Sequence, residues 1–386
     1  MNIALFTTSY FPECNGASIR THGIARGLFA AGHQVYILVP GNKLARETTD
    51  YAVVWRIPVS SSFFSTVFEK FTKFHPTRFF SFFKHLRYII RKEHIDLLHT
   101  RQPLDFFLLG FLFRNVLPWT VEVHKFQSIS DYENGAIGLF RKNLLLRIER
   151  FFMNASRMVV TMTASGKSTL QRYGITRPII IVPNASSLTH RRFISPFSRR
   201  RYLLYAGNLR DAEGIDHLLH SFAVIHRVLP DISCVILGGG DVKKWQHYAQ
   251  KLGLGDSVFF FGEIPFHQIP SYYQHALLFV HPRKNVTYHR DIIGLKFYDA
   301  LRAGLPIVTS EIGEMSALIK KYRVGVVTRL GDDADFARKV ISLLRHPKNI
   351  SQFKKNARRS SFLFSWEQSC RSLSKAYLRV LEDYRA

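Results

Sequence analysis

"DIIGLKFYDALRAGLPIV", residues 291–308, is the stretch on which the reading of this chain turns. It sets Asp291 and Asp299 eight positions apart around Gly294, then runs through Ala-Gly-Leu-Pro into a β-branched strand. The apolar spacing predicts a helix from Ile293 or Gly294 onward, with "VTYHR" as a loop before it. Asp291 then lies just ahead of the helix and Asp299 about one and a half turns inside it. Caps do not account for both acids at that interval. Carboxylates accept paired hydrogen bonds from vicinal hydroxyls, so one can hold a sugar and the other a ribose. Free amides around Gly294 and Leu295, with Lys296, can meet phosphates between them. On spacing alone the alternative is an exposed loop acid followed by a surface helix acid.

Outward from this stretch, short apolar runs alternate with helical patterns, the signature of parallel strands covered by helices. Strands are predicted near 3–7, 34–39, 52–57, 96–100, 119–123, 157–162 and 179–183, with helices such as 18–31 and 136–153 between them. The rhythm pauses at "NASSLTHRRFISPFSRRR", 184–201, a polar, basic stretch without periodicity that reads as a linker. A second series follows near 202–207, 232–238, 257–262, 277–282, 306–310 and 324–328. The chain thus divides into a Rossmann-like domain over 1–183, the linker, a second Rossmann-like domain over 202–364 and a closing helix over 365–386. The fold class is α/β, two doubly wound domains facing each other with the carboxyl ends of their strands, where open parallel sheets bind ligands.

Composition narrows the partners. With 54 Lys+Arg against 28 Asp+Glu the formal charge is +26, which calls for an anionic partner: phosphorylated substrates, an anionic membrane surface or nucleic acid. Three scattered cysteines suggest neither a disulfide framework nor a zinc cluster and fit a reducing cytosol. The start "MNIALFTTSYFPE" reads as a first strand rather than a signal peptide. The longest apolar block, "FFLLGFLF" at 106–113, falls short of the roughly 20 residues that a spanning helix needs.

Three further clusters fall at predicted strand ends. After the first strand, Gly16 allows close approach to a ligand and Ser18 can cap the helix that follows, although any strand-to-helix turn favours these residues. His124, after "WTVEV", can hydrogen-bond a ligand hydroxyl or act on a proton; a solvated or core-satisfied side chain is the other reading. In "AGNLRDAEGIDHLL", Gly207 and Gly214 bracket a turn entering a helix, with Arg210 as its cation and Asp211 and Glu213 opposing an anion. An ordinary turn with a helix start explains the same residues.

Taken together, these pieces resemble the retaining glycosyltransferases of the two-Rossmann-domain, or GT-B, type, conventionally called family 4. The family signature of two acids separated by seven residues, an Ala-rich helix and a Gly-x-Pro turn matches Asp291 to Val308, with Asp for Glu at both acids. Gly16, "GLFAAGHQV", "DLLHTRQP", His124, "VPNASS", "YAGNL", "ILGGGD", "VFFFGEIP" and the Trp366 helix, which in the family crosses back onto domain one, follow in order. The resemblance implies that domain one binds the acceptor and domain two the nucleotide sugar. It implies that Asp291 contacts donor-sugar hydroxyls, Asp299 the ribose diol, His124 the transferred sugar and Gly16 the diphosphate. Gly207, Asn208, Arg210, Gly294, Leu295 and Lys296 then line the donor. Transfer occurs with retention, the leaving phosphate oxygen takes the acceptor proton, and neither a metal nor another cofactor is required. The sequence departs from the family at two positions: Asn208 and Glu213 stand where an Arg and a Lys commonly bind the diphosphate. Arg210, Arg283, Lys284 and Lys296 are the cations able to compensate.

Residues 62–92 carry nine phenylalanines interleaved with cations. Phe64, Phe68 and Phe71 share one helical face, and Pro76 opens a second helix whose face includes Phe79, Phe83 and Leu86. Such a segment can lie on an anionic membrane, or it can bury one face against its own sheet. The expectation is a cytosolic transferase, peripheral on the inner face of the plasma membrane, with a nucleotide-sugar donor and a lipid-linked or cell-surface polysaccharide acceptor. A weakened paralogue that only binds sugar or a partner subunit, and a nucleic-acid-binding protein, are the rival readings. No recognised nucleic-acid motif accompanies the charge.

Overall fold

Each stretch predicted as a strand above is one in the computed structural model, which describes residues 1–13, 15–59, 75–188 and 195–386. The described residues divide into two units, Met1–Asn184 with Trp366–Ala386, and Ala185–Ser365.

The first unit holds β1 (Asn2–Phe6), β2 (Gln34–Gly41), β3 (Ala45–Thr48), β4 (Val53–Pro58), β5 (Leu97–Arg101), β6 (Trp119–Glu122), β7 (Met158–Thr161) and β8 (Ile179–Ile181). They lie in the order β3-β4-β2-β1-β5-β6-β7-β8. Strands buried on both faces read as unbroken Val/Ile/Leu runs, which is why the parallel strands were visible in the sequence. The addition is β3, an antiparallel edge strand of sequence ARET. Its side chains are charged rather than alternating: Arg46 pairs with Glu93 at 2.8 Å and Glu47 with Arg56 at 2.7 Å, which protects the edge. The strand order reverses between β1 and β5, the crevice where doubly wound sheets take ligands.

One face of this sheet is covered by the helices Pro76–Lys92 and Leu104–Phe113, which contribute Phe79, Phe82, Leu86, Phe106 and Phe107 to the core. The sequence left the face of Phe79, Phe83 and Leu86 either to a membrane or to the sheet. Phe79 and Leu86 are buried on the sheet, the second of those readings, while Phe83 and Phe80 are exposed. The face defined by Phe64, Phe68 and Phe71 lies outside the described residues. The helix Trp366–Arg385 packs along the helix Gly16–Ala30. Glycine permits that approach, since a Cβ on Gly23 would sit 2.0 Å from the Trp366 ring. Tyr377 and His99 meet at 2.8 Å through the phenol oxygen and Nδ1.

The second unit holds β9 (Tyr202–Ala206), β10 (Ser233–Leu237), β11 (Val258–Gly262), β12 (Leu278–His281), β13 (Ile307–Ser310) and β14 (Gly325–Thr328). All pair in parallel, in the order β11-β10-β9-β12-β13-β14, with the reversal between β9 and β12. The stretch read as a linker, 184–201, belongs to this unit at its described residues from Ala185 onward, while Asn184 belongs to the first. Phe197 joins the core and Ser271 Oγ lies 2.8 Å from the Ser195 amide that donates to it. No described helix is long and apolar enough to cross a membrane.

Candidate functional site

Each unit gathers polar side chains at the carboxyl edge of its sheet. In the second unit the chain leaves β9 through Gly207, Asn208 and Arg210, with Asn208 and Arg210 exposed. Gly214 then adopts φ +78°, and a Cβ there would lie 2.8 Å from the Pro282 carbonyl, so this turn requires glycine against the end of β12. The helix Ile215–Val228 begins directly after it without a side-chain cap.

The opening stretch differs from expectation in one respect. "VTYHR" is not a loop, because Thr287–Asp291 forms a short helix with Asp291 as its last residue. The next helix, Leu295–Ala303, has Gly294 at its N-cap and no side-chain cap. A Cβ on Gly294 would meet none of the described residues within 4 Å, and no described side chain caps the amides of this first turn. Asp299 is buried one turn further in, where Ser186 Oγ donates to it at 2.8 Å and Lys296 Nζ lies 3.8 Å away. Burial raises its pKa, with Lys296 and Ser186 opposing. Asp291 is buried as well.

Glu213 does not stand free to oppose an anion. It lies in a buried group with Tyr288, whose hydroxyl donates to it at 3.0 Å, and His289, whose Nε2 lies 3.4 Å away. Burial favours its neutral form, but His289, His281 and Arg283 outweigh that and hold the carboxyl down at about 2. Burial pushes His281 down to about 3, so its ring is neutral at physiological pH. Arg283 is buried too; it donates to the carbonyls of His289 and Ile292 at 3.3 and 3.1 Å, and its Nε has no partner among the described residues. Of the other cations named as compensating, Lys284 pairs with Asp216 at 2.6 Å.

In the first unit the organising residue is Glu122, at the end of β6 and 1% exposed. Arg20, from the helix Gly16–Ala30, grips it with Nε and Nη2 at 3.0 and 3.1 Å. Its other bonds go to Asn184 at 2.8 Å and the Val182 carbonyl at 3.0 Å. His99 and Arg101 each stand 3.6 Å from the carboxylate. Burial would raise the Glu122 pKa, but Arg20, His124 and Arg101 hold it well below the usual range. His124 Nε2 lies 2.6 Å from Glu122 Oε1. Burial, against the pull of Glu122, brings the His124 pKa down to about 4. An ionised carboxylate only accepts, so Nε2 carries the proton of the neutral ring and Nδ1 keeps its lone pair. Gly16 opens the helix Gly16–Ala30, and a Cβ there would meet nothing within 4 Å. The cap of that helix is Asn15 rather than Ser18: Asn15 Oδ1 accepts from the Ala17 and Ser18 amides, and Ser18 Oγ accepts from the Asn15 amide.

The structure thus gathers Gly207, Asn208, Arg210, Asp291, Gly294, Leu295, Lys296 and Asp299 on the second unit and Gly16 and His124 on the first. The sequence reading missed Glu122, although a glutamate inside an apolar strand was a usable signal. It also missed Ser186, Tyr288 and His289, which carry none. No group of three or more His, Cys, Asp or Glu suited to a metal occurs among the described residues.

Comparison with known proteins agrees with this layout. The family described as Glycosyltransferase Family 4 matches residues 14–189, and that described as Glycosyl transferases group 1 matches residues 188–360. An alpha-monoglucosyldiacylglycerol synthase of Streptococcus pneumoniae is 24% identical, over 85% of this chain and 75% of that protein. A D-inositol 3-phosphate glycosyltransferase of Geodermatophilus obscurus is 23% identical, over 76% of this chain and 68% of that protein. Among solved structures, the sucrose-phosphate synthase of Thermosynechococcus elongatus superposes with a TM-score of 0.80 at 19% identity, covering 99% of both chains.

Proposed function

From the premise that the chain belongs to the family 4 and group 1 glycosyltransferases and is itself a GT-B glycosyltransferase, we propose how it works. It moves a sugar from a nucleotide-diphosphate sugar to a lipid-linked or cell-surface polysaccharide acceptor, with retention and without a metal. The observation that carries this reading is the uncapped helix entrance at Gly294, with buried Asp291 before it and buried Asp299 within it. The entrance amides and Lys296 take the diphosphate, Asp299 the ribose diol and Asp291 the sugar hydroxyls. Gly207, Asn208 and Arg210 line the same donor. The bond from the anomeric carbon to the diphosphate oxygen breaks, the acceptor oxygen bonds to that carbon on the same face, and its proton passes to the departing oxygen. The helix dipole and the cations stabilise the charge that develops there. His124 offers Nδ1 as an acceptor to a hydroxyl of the transferred sugar.

The rival reading, a sugar-binding paralogue without turnover, draws on Asn208 and Glu213. It is weakened by the fate of Glu213, whose charge is balanced by Arg283 and whose oxygens are engaged by Tyr288 and His289. The test is to incubate the protein with a panel of nucleotide sugars and lipid acceptors and to follow nucleotide release and glycolipid. Turnover of one donor that is lost in Asp299→Ala, and reduced about 100-fold or more in His124→Ala, is the expected result. Every donor remaining intact would put the paralogue first.

Peripheral attachment to the inner face of the plasma membrane belongs to the same proposal. Besides residues 62–92, it is supported by the helix Leu139–Ala155, which exposes Phe140, Leu144 and Phe151 on one face with Arg147. Apolar burial and attraction of cations to anionic lipid add on such a face. Replacing Phe140, Leu144 and Phe151 with Ser should release the folded protein from anionic liposomes, and unchanged pelleting would count against this surface.

A further inference from the structure

The first unit contains a cavity of about 400 Å³ at the carboxyl ends of its strands. Thr8 follows β1, Gln102 follows β5, and Gln127 and Ser128 open the short helix after β6, so the cavity lies along the ligand edge of the sheet. Its floor is formed by Glu149 and Leu145 of the helix Leu139–Ala155, and Leu104 adds apolar wall. Gln102 ties it to the His124 turn, since its Nε2 donates to the Lys125 carbonyl at 2.9 Å.

The charges around this space decide what fits it. Arg78 is the cation among the lining residues, and Asp105, itself fully buried, takes its Nε and Nη2 at 2.6 and 2.7 Å. Glu149 is 2% exposed and accepts from Ser128 Oγ at 2.5 Å and the Gln127 amide at 2.9 Å. Burial pushes its carboxyl up to about 7, so near neutral pH much of it is uncharged. A phosphate entering here meets a carboxyl and a cation already engaged, which costs desolvation without return. The Gln102 and Gln127 side-chain nitrogens donate to the Lys125 carbonyl and to Asp131, which leaves their amide oxygens as acceptors. A neutral hydroxyl can donate to them and a phosphate dianion cannot, with apolar wall beside them as is usual in a small-molecule site. The helix that supplies the floor turns Phe140, Leu144 and Phe151 outward, so one of its faces lines the cavity and the other is exposed and apolar.

We propose that this cavity is the acceptor pocket, that it takes a neutral polyol headgroup carried on an apolar tail, and that it rejects an acceptor whose headgroup bears a phosphate. The inference rests on the transferase reading above and names the acceptor class that reading leaves open.

Binding of monooctanoylglycerol and of its phosphate ester to the full chain, measured by calorimetry without donor, tests it. The neutral probe should bind at least about ten-fold tighter than the ester, a difference of about 1.4 kcal/mol. Leu145→Trp should fill the cavity and abolish that binding, with nucleotide-sugar binding unchanged. Should Leu145→Trp fail to fold, Thr8→Trp blocks the space from an exposed rim position and should have the same effect. Equal or tighter binding of the ester, no binding of either probe, or unaltered binding by folded Thr8→Trp overturns the proposal. Selective binding without any glycolipid product from any donor would leave the pocket standing and refute the transfer reaction instead.

Discussion

Glu122 in the first unit and Glu213 in the second are built from the same parts and put to different uses. Each is a carboxylate at the carboxyl edge of its sheet, flanked by arginine and two histidines. Around Glu122 the arginines face the carboxylate directly and the histidine of interest, His124, keeps 21% of its side chain exposed. Around Glu213 the histidines are buried and the arginine donates to backbone carbonyls. The first arrangement leaves a ring partly accessible. The second secures a one-turn helix and neutralises an acid at a place where the family prefers a base. A buried ion group therefore reveals its role through what it leaves accessible, not through its composition.

The largest test of that contrast is deletion of each charge. Glu122→Gln leaves Arg20 buried beside a neutral amide and should cost about 3–5 kcal/mol in urea unfolding. Glu213→Gln, whose partners include a tyrosine hydroxyl and whose side chain is 15% exposed, should cost roughly 1–3 kcal/mol. Equal losses would erase the distinction. A second test uses pH, because Glu149 carries the opposite sign. Glu122 is depressed, so its contribution is present above the ordinary carboxylate range and is lost as pH falls. Glu149 is raised from 4.5 to about 7, so its contribution is complete below 4.5 and is lost as pH rises through 7. Relative to Glu149→Gln, the wild-type protein should lose about 1–3 kcal/mol between pH 4.5 and 8; a flat difference would mean that the carboxyl is not held neutral. A third test compares anchors. Ser186→Ala removes a charge-assisted bond to Asp299 and should cost about 1–2 kcal/mol and weaken donor binding, with acceptor binding unaltered. The smallest effect separates the two helix entrances. Asn15→Ala should cost about 1 kcal/mol because that entrance is capped by its own side chain, whereas Gly294→Ala should change stability by a few tenths. A larger loss at Gly294 would mean that its backbone, not its openness, is what matters.

The parallel strands were legible because strands covered on both faces are apolar throughout. β3 was not, since an edge strand protected by Arg46 and Glu47 has no apolar side to reveal it. The Thr287–Asp291 helix is a single turn, too short for any period to show. The acids of the opening stretch could be found by interval, but the neutralisation of Glu213 could not, because Tyr288 and His289 lie some 75 residues further along the chain. Glu122 and Arg20 are 102 residues apart and become partners only once β6 and the first helix stand side by side.

One consequence concerns how the protein is made. The groove along Gly16–Ala30 is filled by Trp366 and Cys370, and Tyr377 reaches His99 on β5, so the unit begun at Met1 is completed by residues translated after all of Ala185–Ser365. At roughly 5–20 residues per second, that groove stays open to chaperones for roughly 10–35 s on the ribosome. A chain terminated just before Trp366 would carry an intact second unit and a first unit with its seam permanently unsealed.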